Sequence, residues 1–180
     1  KGYAAIIIKD TAGNGKAKDI NQRILQKHTL IASIRMPLDL FMGKASVQTN
    51  IYVFKVGEKH HKDEIVKFID FSNDGYSRSD RKKSANNLKD TDNAKGRYEE
   101  VVNLVRFGRS KLKIFTDKEY YEGTIDPSNG ADWNQSAPIE GKPTLDDFAK
   151  TVSDYLAWEM ANIIKTQPKM SEQLAKLKPI

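Results

Sequence analysis

The sequence predicts an α/β chain: part of a doubly wound sheet that ends in an antiparallel strand pair and is followed by a mostly helical extension. Three observations carry this expectation. AAIIIK (Ala4–Lys9) is a short unbroken apolar run, the pattern of a strand covered on both faces of a parallel sheet. A stretch with helical periodicity separates it from a second apolar run, and strand, helix, strand is the building block of a doubly wound sheet. A third strand-like run then follows with no helical pattern in between. A parallel return needs a crossover, so the last two strands are expected to pair antiparallel.

The elements follow in order. After Ala4–Lys9 comes the turn cluster DTAGNGKA with Gly13 and Gly15. From Ala17 to His28, the apolar Ile20, Ile24 and Leu25 recur at helical spacing, which predicts one amphipathic helix. LIASIRM (Leu30–Met36) predicts a strand that Pro37 ends. TNIYVFKV (Thr49–Val56) is rich in β-branched and aromatic residues and reads as a strand. IVKFIDFS (Ile65–Ser72) reads as another, after the polar turn GEKHHKDE. Polar and basic composition from Asn73 to Gly96 predicts a loop, or a segment ordered by a partner. RYEEVVNLVRFG predicts a helix capped by Gly108. KIFTDKEYYEG suggests a short strand leading into a turn, and Thr124 to Pro143 a long polar loop. Thr144, with Asp147 three residues on, is a helix start. The stripe Leu145, Phe148, Val152, Leu156, Met160 and Ile163 continues that helix to about Lys165, with Pro168 as the expected stop before a basic tail. The expected divisions are 1–75, a catalytic-type sheet; 76–113, a basic loop and helix; and 114–180, an acidic loop and helical extension.

Composition excludes several classes. Cysteine is absent, which removes disulfides, thiolate metal sites and a cysteine nucleophile. No apolar run approaches the roughly 18 to 20 residues of a membrane span, and the start is not a signal peptide, so a cytoplasmic protein with no membrane partner is expected. The opening on Lys1 at a strand suggests a piece of something longer. The net charge of +6 is unevenly spread. Tyr76 to Lys113 holds eleven basic and five acidic residues, and Asp117 to Ala161 three basic and ten acidic. The basic segment is either a contact for phosphate or a solvated face. Within it Arg78, Arg81, Lys82 and Lys83 are the candidates for a DNA backbone. His60, His61, Asp63 and Glu64 read as a solvated turn rather than a metal site. Gly13-Asn14-Gly15 lacks the third glycine of a dinucleotide loop and the G-K-[ST] of a P-loop, so it reads as a plain turn. No G-x-S-x-G occurs, and the three histidines show no triad logic. The C-terminal helix, with Leu156 and Trp158, either docks a partner or packs on its own domain.

From about Gly2 to Val56 the chain resembles the later part of the N6-adenine DNA methyltransferase domain of type I restriction-modification modification subunits. The resemblance rests on GYAAIIIK, INQRILQKH, LIASIRMP, LDLF and TNIYVFKV, five pieces in the family's order. FIDFS and RYEEVVNLV are similar to the segment that follows, and beyond roughly Phe107 the resemblance is loose.

This resemblance implies a doubly wound sheet and S-adenosylmethionine as methyl donor to the exocyclic amine of an adenine extruded from the duplex. The loop from Pro37 to Thr49 resembles the segment walling the pocket for the flipped base, with Phe41 its candidate contact residue; core packing under the loop is the other reading of Phe41. The implied partners are DNA, a DNA-specificity subunit, a restriction subunit and the upstream part of the same chain. One departure is decisive: none of the six prolines are adjacent, so the Asn/Asp-Pro-Pro-Tyr/Phe tetrapeptide is absent, as is the glycine-rich cofactor turn. Both are expected upstream. No catalytic residue or metal ligand is therefore assigned here, no bound cofactor is expected, and the piece alone is expected to be inert, with a sheet edge bared at Ala4–Lys9. The alternative is a non-catalytic nucleic-acid-binding or subunit-interaction module.

Overall fold

The computed structural model describes residues 2–41, 47–81, 84–138 and 143–175, with the backbone alone at 80–81, 84–87 and 164–175. The chain divides between residues 138 and 139 into two compact units.

The first unit is built on a five-stranded sheet of order β1-β3-β2-β4-β7. Its strands are β1 (Gly2–Lys9), β2 (His28–Arg35), β3 (Thr49–Val56), β4 (Val66–Asp70) and, much later in the chain, β7 (Tyr120–Gly123). The expected antiparallel pairing of β2 with β3 is borne out, with Ile34 opposite Ile51. β3 also pairs antiparallel with β1, Ile7 opposite Ile51. The strand–helix–strand unit is therefore present, through α1 (Lys18–Leu25), but β3 is inserted between its two strands. β4 lies beside β2, not β3, in parallel register with Ser33 opposite Phe68. β7 closes the far edge antiparallel to β4. The sheet is mixed, and β2/β4 is its parallel neighbour pair among the described residues.

The expectation that Ala4–Lys9 is covered on both faces is not met. Ile6, Ile7 and Ile8 are all exposed, and β1 is an edge strand. An apolar run encodes a need for cover; no described residue supplies it on the outer side.

Alternation of side chains builds two cores, one on each face. Tyr52 and Phe54 of β3 join Val66 and Phe68 of β4 against Leu25, Ile125 and Trp133 on the α1 side. Ile69 and Phe71 join Ile34 and Met36 on the opposite side, against Val101 and Leu104 of α2 (Ala94–Phe107). Leu30 and Ile34 have the same parity yet serve different cores. A register shift between Leu30 and Ala32 accounts for it, because one extra residue re-aims the strand. Both faces thus carry a helix, as a doubly wound sheet requires. α2 ends at Gly108, as expected, with a φ of 70° that glycine adopts without strain and an extended ψ of −158° that turns the chain out of the helix. Its buried Glu100 accepts the backbone N–H groups of Lys113, Ile114 and Phe115, which fixes the segment leading to β7.

Two further expectations are corrected. Asn73–Gly96 is not a loop throughout: β5 (Tyr76–Arg81) and β6 (Ser84–Asp90) pair antiparallel as a hairpin. Its strands are too polar to signal themselves, and its base orders it. Thr91 and Asp92 donate their N–H groups to Gly75 O, and Gly75 adopts φ 87° where a Cβ would press on Ala94. The turn at His60–Glu64 is not wholly solvated either. His61, Asp63 and Glu64 are exposed, but His60 is 0 % exposed, its N–H bonded to Leu25 O.

The second unit is α3 (Leu145–Ala175). Its start is the expected reciprocal cap: Thr144 N donates to Asp147 Oδ2 at 2.9 Å and Asp147 N to Thr144 Oγ1 at 3.1 Å. The helix runs through Pro168, the expected stop. Strong helix formers after it (Glu172, Gln173, Leu174, Ala175) favour continuation over the local cost of one lost hydrogen bond.

Candidate functional site

β2 delivers the chain to Pro37, which is buried and starts a turn closed by Leu40 N donating to Pro37 O at 3.2 Å. Leu40 packs into the α2-side core. Phe41, the next residue, is 39 % exposed. The turn packs Leu40 against the core and leaves Leu38 and Phe41 exposed. Where the chain returns, Gln48 Nε2 donates to Met36 O at 2.6 Å, and Met36 N to Thr49 O at 2.9 Å. Thr49 is buried, and its hydroxyl has no partner among the described residues. Pro37 and Thr49 thus stand at the two ends of one closed loop that carries Phe41. Residues 42–46 lie outside the described residues.

The candidate DNA-backbone residues do not share one environment. Arg78 is 5 % exposed, its guanidinium bonded to both oxygens of Asp74 (1 % exposed) and, at 3.2 Å, to Asp39 Oδ1. Burial pushes the Asp74 carboxyl up, but Arg78, the Tyr76 N–H and the Tyr98 hydroxyl outweigh it, so its pKa lies below the ordinary value. Burial and this carboxylate together raise the Tyr98 hydroxyl to about 12. The guanidinium is thereby a brace inside the fold. Arg81 ends β5 in a backbone description, and Lys82 and Lys83 lie outside the described residues.

A second cluster occupies the carboxyl ends of β2 and β4, the place where open α/β sheets bind ligands. A cavity of about 240 Å³ opens there beside Arg35, Asn50, Asp70 and Asn134. Asn134 organises it. Its Oδ1 accepts from Asn50 Nδ2 at 2.9 Å and from the Tyr52 hydroxyl at 2.7 Å, while its Nδ2 donates to Asp10 O at 2.7 Å and Asn14 Oδ1 at 2.8 Å. Asn50 Oδ1 is buried without a partner among the described residues. Burial raises the pKa of the Tyr52 hydroxyl to about 12 despite its hydrogen bond with Asn134. Gly13 sits so close beneath Tyr52 and Asn134 that a Cβ would overlap both. The Gly13 side of the turn is thus occupied by Tyr52 and Asn134. Sequence reasoning missed Asn134 and Asp39, which carry no local motif; only the fold brings them to their partners.

On α3, Leu156 and Trp158 are both exposed. No group of three or more metal-ligating side chains occurs among the described residues. No helix among them is long and apolar enough to cross a membrane.

A mixed sheet with a helix on each face and a polar cavity at its parallel carboxyl ends defines a piece of a doubly wound α/β domain. The chain belongs to the N-6 DNA methylase family, whose model matches residues 1–134. The resemblance carried by GYAAIIIK through TNIYVFKV is borne out by that match. A curated relative, the type II restriction enzyme and methyltransferase RM.BcgI of Heyndrickxia coagulans, is 28 % identical over 148 residues, 81 % of this chain and 22 % of its own length. This chain therefore spans under a quarter of that relative. A chain from a solved type I restriction-modification system superposes with a TM-score of 0.51 at 12 % identity, covering 98 % of this chain and 36 % of that one; the likeness is one of fold. The EcoKI M protein, a type I restriction enzyme, gives 0.49 at 14 % identity over 94 % of this chain and 41 % of its own.

Proposed function

We propose that this chain is the later part of the catalytic domain of an adenine-N6 DNA methyltransferase of a restriction-modification system. The observation that supports it best is the family match over residues 1–134, joined to a turn that packs Leu40 against the core and leaves Phe41 exposed. In this reading Pro37, Phe41 and Thr49 belong to one wall of the pocket for an extruded adenine, with Phe41 against the base. Arg81, at the end of the strand that Arg78 braces, and Lys82 and Lys83, which follow it in sequence, meet the DNA backbone. S-adenosylmethionine, which supplies the methyl group, is held by residues outside this chain, and the free edge of β1 is where the upstream sheet adjoins. The chain alone is inert, because the proline-rich tetrapeptide and cofactor turn are not in it. α3, through Leu156 and Trp158, docks the specificity subunit, alongside which a restriction subunit assembles in the cytoplasm.

Methyl transfer to duplex adenine, measured for this chain and for the full-length enzyme, tests the reading. The chain should give none. In the full-length enzyme Phe41→Ala should lower kcat/KM by roughly five- to 150-fold, the loss of one stacking partner of about 1–3 kcal/mol. Wild-type turnover in Phe41→Ala would remove the loop from the site.

A second reading, a nucleic-acid-binding module, is favoured by the ordered basic hairpin. It requires that the chain alone bind DNA with a steep loss of affinity on adding salt.

A further inference from the structure

Arg78 holds two carboxylates that differ in kind. Asp74 is buried, bidentate, and shares its oxygens with the Tyr76 N–H (3.1 Å) and the Tyr98 hydroxyl (2.8 Å). It ties the hairpin base to α2 and leaves the guanidinium little freedom. Asp39 is 40 % exposed, takes one bond from Nη1 at 3.2 Å, and belongs to the turn two residues before Phe41. One guanidinium facing two carboxylates leaves a surplus negative charge. The buried pair cannot be dissolved without leaving an ion in the core; the Asp39 contact is the separable one.

Without Asp39 the turn has, among the described residues, two holds on the body of the protein: Pro37 at its entry and Leu40 packed against the α2-side core. Neither fixes the side of the turn that faces the hairpin. Arg78 supplies that third point, and it does so from an arginine already immobilised by Asp74.

We propose that Asp39 is a positioning residue: through Arg78 it latches the Phe41 turn to the base of the basic hairpin and sets the direction in which Phe41 is presented. This rests on the reading of that turn as the wall of the target-base pocket. The hairpin and the turn then form one rigid unit, so that the backbone-contacting element and the base-contacting element keep a fixed spacing along the DNA.

The test begins with amide exchange in this chain. Asp39→Asn should speed exchange at Leu40 and Phe41 by roughly two- to fivefold, the size of a partly exposed ion pair. The amides of Tyr76–Asp90 should be unaffected, because Asp74 still holds Arg78. Added salt should speed the same turn amides in the parent, by screening, and not in Asp39→Asn. Asp39→Glu, which keeps the charge, should restore the salt response. Arg78 itself is left unchanged, since its loss would strand Asp74. In the full-length enzyme, with 2-aminopurine at the target position, Asp39→Asn should reduce the fluorescence rise that reports extrusion and lower kcat more than KM changes. Unchanged turn exchange in Asp39→Asn overturns the latch. Faster exchange with normal extrusion and kcat, in an enzyme that Phe41→Ala cripples, overturns the positioning role. If Phe41→Ala is also harmless, the pocket-wall reading fails, and the positioning role with it.

Discussion

The Tyr52 hydroxyl donates to Asn134 Oδ1 at 2.7 Å, joining the middle of the sheet to a loop 82 residues further along the chain. The same oxygen accepts from Asn50, and the amide nitrogen is spent on Asp10 O and Asn14. Tyr52→Phe removes one donor from a still-occupied acceptor and should cost about 0.5–1.5 kcal/mol. Asn134→Ala strands two buried partners at once, Asn50 and Tyr52, and should cost more, about 1–3 kcal/mol. Urea unfolding followed by fluorescence of Trp133, which packs edge-on against the Tyr52 ring at 5.3 Å, measures both; equal costs would mean that Asn134 is not the hub.

Removing the arginine of the buried Asp74–Arg78 pair should be strongly destabilising. Arg78→Ala leaves a carboxylate at 1 % exposure with, among the described residues, the Tyr98 hydroxyl and the Tyr76 N–H for partners. A loss of about 3–5 kcal/mol follows, read as collapse of hairpin amide protection. Arg78→Lys should not rescue it, because a point ammonium cannot make the two-pronged contact. Full rescue by lysine would show that charge alone suffices.

Stability should fall on acidification well before the carboxylates titrate. Burial of His60 lowers its pKa; Glu64 and Asp132 pull upward and His61 downward without reversing the sign. Folded His60 therefore binds fewer protons than unfolded His60 below about pH 6.5, and stability drops as pH falls through that window. Neither ring nitrogen has a hydrogen-bond partner among the described residues to soften the change. His60→Phe should flatten the midpoint of thermal unfolding between pH 7 and 5, against a sloping parent. Parallel slopes would assign the loss elsewhere.

The edge at β1 should govern the solution behaviour of the isolated chain. Ile6, Ile7 and Ile8 offer apolar side chains beside unpaired backbone groups, the conditions for edge-to-edge association. Ile7→Lys should lower self-association in sedimentation runs with little change in unfolding midpoint, since that side chain is half exposed. Association that persists unchanged would point to another surface.

How much of this was legible in the sequence depends on how local each cause is. The Thr144–Asp147 cap, the Gly108 stop and the β2/β3 pair were legible, because each is decided within a few turns or a single connection. The β5/β6 hairpin was not: Ser77, Arg78 and Ser79 lack strand propensity, and the Asp74–Arg78 pair and the Gly75 turn order it instead. Nor was the choice of β4 to lie beside β2, since strand neighbours are selected by the whole sheet. His60 read as solvent-facing because the chain around it is polar; only the packing of α1 and the following strand encloses it. At the candidate site Pro37, Phe41 and Thr49 stood out by family pattern, whereas Asp39 and Asn134 acquire meaning from partners far along the chain.

The insertion of β3 between β1 and β2 also dictates an order of events on the ribosome. β1 leaves the exit tunnel before β3, so the edge on which Ile7 faces Ile51 cannot pair until Ile51 has been made. β2 and β3 can zip as soon as both are out, since one short connection joins them. For that interval the β3-facing edge of Ala4–Ile8 waits unpaired in the nascent chain, in competition with chaperones and other extended segments. A translational pause after β3, not before it, is the one that would protect this chain.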